Sequence, residues 1–150
     1  MIVLDTNVLS EALRALPEPA VLDWLAHQPR ASLFTTTVTR GEILYGIRLL
    51  SDGKRRRGLW DAAIKIFSDD FAGQVLSFDA DAADMYAEIA VSRRIAGKSI
   101  SQFDAMIVAM ARSRGASLAT RNVKDFEGCG VDVVNPWTAY ATARTLLRHD

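Results

Sequence analysis

Residues 1–11 read MIVLDTNVLSE. Apolar residues, two of them β-branched, run straight into a carboxylate, and a helical spacing begins behind it. Successive rather than alternating apolar residues fit a strand buried on both faces, the kind found in a parallel sheet. An aspartate at the end of such a strand has two uses: it caps the following helix, or it holds a metal at the edge of the sheet. Thr6 can cap that helix too, and Leu9, Leu13 and Leu16 give it an apolar stripe.

Working outward, Pro17 and Pro19 stop the first helix. Val21, Trp24 and Leu25 mark a second, ended around Pro29, and residues 32–36 (SLFTT) read as a strand. A strong helical pattern covers 37–50, with Ile43, Ile47 and Leu50 along one side, and Ser51-Asp52-Gly53 turns the chain. Leu59, Ala63, Ile66 and Phe67 space a fourth helix, and 74–78 (QVLSF) read as the third strand. Helices are predicted over 79–96, with Ala83, Tyr86, Ala87 and Ala90 inward, and over 101–114, each closed by a glycine. Residues 117–120 and 131–134 read as the last strands, and a helical tail runs from about 138 to 150. Strands alternating with helices imply an α/β fold of βαβ units around a parallel sheet. No linker or repeat interrupts it, so 1–150 reads as a single domain.

Composition narrows the function classes. With 150 residues the chain is long enough for a sizeable core, and its 49% hydrophobic and 24% charged residues are those of a soluble globular protein. The formal net charge is zero, so any contact with a polyanion must come from a local patch. The single cysteine, Cys129, excludes an internal disulfide and suits a cytoplasmic location. The start MIVLD has no basic stretch and no long apolar run, so no signal peptide is expected, and no apolar run reaches membrane length. His27 and His149 form no zinc-type pair.

In parallel sheets the reactive groups sit at the carboxyl ends of the strands. Asp5 is in that place, as is Thr120-Arg121-Asn122. Glu42 follows the second strand beside an apolar run, and Asp104 lies in the first turn of a late helix. Acids drawn together there repel one another, and a hard divalent cation with oxygen ligands relieves the repulsion. Each acid also has an ordinary explanation: Asp5 as a cap, Glu42 as a solvated helix residue, Asp104 as a favourable charge at a helix start. Spacing alone does not choose.

The blocks MIVLDTNVLSE, TTTVTRGEILYGI, SISQFDAMIVAMARSRGASLATRNVKDF and NPW, taken together and in this order, resemble PIN-domain ribonucleases of the VapC toxin family, close to its FitB-like branch. The resemblance covers nearly the whole chain. It implies a three-layer fold with a parallel central sheet between helices. It implies a metal-dependent endoribonuclease, the toxin of a type II toxin–antitoxin system, with metal-activated water attacking RNA phosphodiesters to leave 5′-phosphate and 3′-hydroxyl ends. Carried over residue by residue, the metal-binding acids fall on Asp5, Glu42 and Asp104, with Mg2+ as cofactor and Mn2+ as a substitute. The fourth position is Asn122, where many relatives carry Asp; the lost charge leaves one metal or two open. Asp125, three residues on, is a substitute acid or a surface residue. Asn7 and Thr120 match orienting positions, or act simply as caps. Arg40, Lys98 and Arg121 neighbour the acidic blocks and are candidates for RNA contact. The implied partners are RNA, a VapB/FitA-like antitoxin, a second copy of the chain, and operator DNA only indirectly through the antitoxin; no membrane is implied.

Other readings stay open. A phosphotransfer domain with a nucleophilic Asp5 would need an acid two residues on, where Asn7 stands, or an acidic pair before the first helix. A silent PIN-fold binding module is left open by Asn122. Lys54-Arg55-Arg56-Arg57 is a solvated loop face, an RNA phosphate track or a partner-binding rim. Trp24, Trp60, Trp137 and Phe126 read as core or interface residues, Cys129 as a loop thiol, and Glu11 as a solvent-facing acid.

Overall fold

The computed structural model describes residues 1–140. Five short parallel strands form one sheet: β1 (Ile2–Leu4), β2 (Leu33–Thr36), β3 (Val75–Leu76), β4 (Ser117–Ala119) and β5 (Val133–Val134), in the order β3-β2-β1-β4-β5. Helices α1 (Thr6–Ala12), α2 (Pro19–His27), α3 (Thr37–Arg48), α4 (Lys54–Lys65), α5 (Ala80–Ile95) and α6 (Gln102–Ser113) cover it. The three-layer α/β architecture is the expected one.

Strand pleating explains the layers. Neighbouring side chains on a strand point to opposite faces. Val3 and Leu118 therefore pack with Ile89, Ile107, Val108, Ala111 and Phe126 on the α5–α6 side. Leu4 and Ala119 pack with Val8, Val21, Trp24, Ile43, Ile47 and Phe67 on the α1–α4 side. Both faces of β1 are dry, which is why its apolar residues run without alternation. Because β2 and β4 flank β1 on opposite sides, the chain direction across the sheet reverses at the carboxyl end of β1. A crevice opens at such a point in parallel sheets.

Several boundaries differ from the sequence reading. Asp5, not Thr6, is the N-cap of α1; its Oδ1 accepts the Thr6 N–H at 2.8 Å. The first helix ends at Ala12, and Leu16 is 86% exposed rather than part of an apolar stripe. Pro19 opens α2 instead of closing α1, because a proline at the first helical position loses no hydrogen bond. The third and fifth strands shrink to two residues each. The inward face of α5 is Ala82, Ile89 and Arg93, whereas Ala87 is exposed. Alanine is too small to mark a face by itself, and the bulkier Ile89 decides the helix rotation. Of the predicted tail, 141–150 lie outside the described residues. Among the described residues, no helix is long and apolar enough to cross a membrane.

Candidate active site

β1 delivers Asp5 to the crevice. Its N–H donates to the Ala119 carbonyl at 2.9 Å, continuing the pairing with β4, and its side chain is 3% exposed. The carboxylate is held at both oxygens. Oδ1 takes the Thr6 N–H, while Oδ2 accepts the Thr120 hydroxyl at 2.7 Å and Asn7 Nδ2 at 3.3 Å. Asn7 Nδ2 also reaches Thr120 Oγ1 at 3.4 Å, and Asn7 Oδ1 accepts the Arg121 N–H at 3.4 Å. Asn7 and Thr120 thus fix the orientation of Asp5 and tie α1 to the loop after β4.

α3 brings in the second acid. Thr36 caps this helix, its hydroxyl accepting the Thr39 N–H at 3.0 Å. One turn further on, Glu42 Oε1 accepts the Thr6 hydroxyl at 2.8 Å, and Thr6 Oγ1 lies 3.0 Å from Thr39 Oγ1. α6 brings in the third. Ser101 caps it and accepts the Asp104 N–H at 3.2 Å, so Asp104 stands in the first turn, half-buried.

The charges of two other acids act on Asp5. Burial pushes the Asp5 carboxyl from 3.8 up to about 6; its hydrogen bonds to Thr120 and Thr6 oppose this, and the charges of Asp104 and Glu42 add to it. Burial also raises Asp104, against the Ser101 hydroxyl and with the charge of Asp125 adding. Among the described residues no ion pair reaches Asp5, Glu42 or Asp104. Among the described residues this buried negative charge therefore has no cation paired with it. Yet no three His, Cys, Asp or Glu side chains among the described residues stand close enough to hold a metal between them. The donors suit a hard cation in charge and in oxygen chemistry, at a spacing wider than a closed three-carboxylate chelate. A cation that keeps several waters and takes only one or two carboxylates does not require a closed three-carboxylate chelate.

The late loop carries both Asn122 and Asp125. Asn122 is exposed; its backbone N–H donates to Thr120 Oγ1 at 3.1 Å. Asp125, in the short 3-10 turn Val123–Phe126, is the residue whose charge reaches Asp104. Arg93 of α5 clamps this turn from beneath: its guanidinium donates to the carbonyls of Glu127 at 2.6 Å and Asp125 at 3.0 Å. Of the candidate RNA contacts, Arg40 lies over the Phe67 ring at 5.7 Å, Arg121 over Trp137 at 5.1 Å, and Lys98 is exposed beyond α5.

Sequence reasoning missed Thr6 and Thr39 as links to Glu42, and Arg93 as a clamp. A threonine directly after the strand-end acid was the available signal for the first; nothing in the local pattern announced Arg93. Two assignments need correction. Glu11 is buried rather than solvent-facing: it takes the Glu18 N–H at 3.0 Å and pairs with Arg14 at 3.1 Å, whose hydrogen bond holds its carboxyl below the usual range. Cys129 is in a loop as read, but a buried one: it packs into the α5–α6 core, and burial pushes its thiol up.

The PIN domain family model matches residues 2–127. The VapC ribonuclease Y4jK of Sinorhizobium fredii is 39% identical over 91% of this chain and 98% of that protein. Toxin FitB of Neisseria gonorrhoeae is 36% identical over 91% of this chain and 99% of its own length. A solved structure of FitAB bound to an IR36 DNA fragment superposes with a TM-score of 0.86 at 36% identity, covering 91% of this chain and 96% of that one. The chain belongs to the PIN-domain family. Within it, the chain falls in the VapC group on the FitB side.

Proposed function

We propose that this chain is the toxin of a type II toxin–antitoxin pair, a Mg2+-dependent endoribonuclease that acts in the cytoplasm. The observation that carries this reading is the buried Asp5 carboxylate, raised by burial with the charges of Asp104 and Glu42 adding to it and, among the described residues, no cation paired with it. The ribonuclease and toxin names of its relatives support the same class. Asp5, Glu42 and Asp104 would hold Mg2+ or Mn2+, with Asn122 completing the oxygen set. When bound, the cation supplies charge against phosphoryl oxygens and makes nearby water more acidic.

The chain's own residues do the positioning. Thr120, Asn7 and the Thr6 N–H fix both Asp5 oxygens, so that carboxylate does not turn away when a phosphate approaches. The Thr6 hydroxyl fixes Glu42. Water is the nucleophile. Its oxygen adds to phosphorus, the bond to the 3′ oxygen breaks, and a proton ends on that oxygen, leaving 5′-phosphate and 3′-hydroxyl ends.

Purified protein is expected to cut RNA with Mg2+, to stop with a chelator, and to resume with Mn2+. Asn122→Asp restores a charge to the oxygen set and is expected to tighten Mn2+ binding about tenfold by calorimetry. Unchanged or weaker binding would place Asn122 outside the shell. Asn122 also leaves a silent binding module open; inactivity of the wild type with Mg2+ and with Mn2+ supplied would establish that reading instead.

The partner reading rests on a groove of about 450 Å3 between α1, α3 and α4, lined by Leu13, Ile43, Ile47, Leu50 and Leu59 with Glu42 beside it. An antitoxin segment that folds on binding would lay apolar residues there, and an arginine from it would reach the acids. The FitAB structure, bound to a DNA fragment, supports a toxin–antitoxin pair that associates with DNA. Val91 and Ile95, exposed one turn apart on α5, support a homodimer. Co-expression with the product of a small reading frame immediately upstream is expected to yield a complex that cleaves RNA more slowly than the free toxin. Failure of the two to co-purify would sink the toxin–antitoxin reading.

A further inference from the structure

Residues 48–65 carry six cationic and two anionic side chains, in a chain whose net charge is zero. Four of the cations, Lys54 to Arg57, fill the first turn of α4, which contains no acid. That placement works against the helix. The N-terminal end of a helix carries the positive end of its dipole, and like charges in one turn repel. The cap makes matters worse, because Gly53 has no side chain to accept the first-turn N–H groups. Asp52 stands 3.9 Å from Arg57, and both side chains are largely exposed, so this pair offsets little.

Two features turn this cluster toward a ligand. Arg55 lines the same groove as Glu42, so the cations begin where the acidic site ends. On the other side of the helix, Arg48, Asp52, Arg56, Arg57, Trp60 and Asp61 line a second hollow of about 480 Å3. There the Arg48 guanidinium lies over the Trp60 ring at 4.3 Å. A cation-and-aromatic platform next to free cations suits a single-stranded nucleic acid, whose phosphates need charge and whose bases need a flat face.

We propose that the start of α4 is a second RNA-binding subsite, which holds the substrate strand away from the scissile phosphate. This rests on the endoribonuclease reading of the acidic site. Arg55 takes the phosphate nearest Glu42, Arg56 and Arg57 take the following ones, and the Arg48–Trp60 pair offers a face for one base. The cost of stacking four cations against the helix dipole is offset only when the strand is bound.

The test is binding of a fluorescent single-stranded RNA of twenty nucleotides, by anisotropy, in chelator and across a series of NaCl concentrations. For single strands the logarithmic salt slope is about 0.7 per phosphate neutralised. The variant R55Q/R56Q/R57Q is expected to lower that slope by about 2, and R55K/R56K/R57K to keep it. The glutamine variant is expected to melt no lower than wild type, since it removes cations from the positive end of the helix. Should it fail to fold, R56Q alone is expected to lower the slope by about 0.7. A slope unchanged in the glutamine variants would overturn the proposal, as would loss of antitoxin capture with RNA binding intact, which would make the cluster a partner rim. A wild type that binds RNA with this slope yet cuts none in Mg2+ would remove the endoribonuclease reading and leave the RNA subsite standing.

Discussion

Asp5→Asn is expected to lower RNA cleavage about a thousandfold or more while making the folded protein more stable at pH 8. The two effects share one cause. A carboxyl whose folded value is raised stabilises the fold below its unfolded value and loses that contribution as pH rises through the folded one. With the folded value near 6 against an ordinary 3.8, ionised Asp5 costs the fold about 3 kcal/mol at pH 8. Asparagine removes the charge but keeps an oxygen for the Thr6 N–H; its amide nitrogen cannot accept from Thr120 and Asn7, which returns about 1 kcal/mol. The net expectation is a gain of about 1–3 kcal/mol at pH 8 and none at pH 4, read by urea unfolding. Mg2+ should raise the melting temperature of the wild type and leave that of the variant unmoved. A variant destabilised equally at both pH values would mean that Asp5 is only a cap. Glu42→Ala and Asp104→Ala belong in the same cleavage assay. If two of the three single variants cut at the wild-type rate with magnesium as the only metal, the acid assignment is wrong.

The cap reading holds at Asp5 and leaves its second oxygen over for the proposed cation, which is why the sequence could not choose between the two. One oxygen caps α1 through the Thr6 N–H, and the other is aimed by Thr120. The sheet and its two dry faces were legible from β1 and β4, because uninterrupted apolar residues such as Val3 and Leu4 have one reading in an α/β chain. The short strands were not. Val75–Leu76 and Val133–Val134 are set by pairing partners distant in sequence, and local propensity overran both. The acids were visible as residue types, whereas the charge effect of Asp104 and Glu42 on Asp5 depends on how β1, α3 and α6 are placed relative to one another. Glu11 failed for a related reason. Its partners are the Glu18 N–H and Arg14, and the former comes into reach only because α1 stops at Ala12 and the chain folds back.

At limiting Mg2+, cleavage is expected to fall about a hundredfold from pH 7 to pH 4, with a midpoint near the value of about 6 set at Asp5 by its burial. The direction follows from the competing charges. Below the midpoint Asp5 is protonated, and a cation must displace that proton, so metal affinity drops about tenfold for each further unit of pH. Asp104, raised by burial and by the charge of Asp125, adds a second proton to displace and steepens the acid limb. Asp125→Asn removes that neighbouring charge, so the limb should move to lower pH in this variant. Raising Mg2+ tenfold should also move the midpoint down, by up to about one unit, because the metal and the proton compete for the same oxygens. A midpoint that stays fixed at every Mg2+ concentration would mean that the titrating group lies on the RNA or elsewhere in the chain. A midpoint near 4 at limiting metal would mean that Asp5 meets water freely, and the buried, uncompensated carboxylate would no longer explain the site.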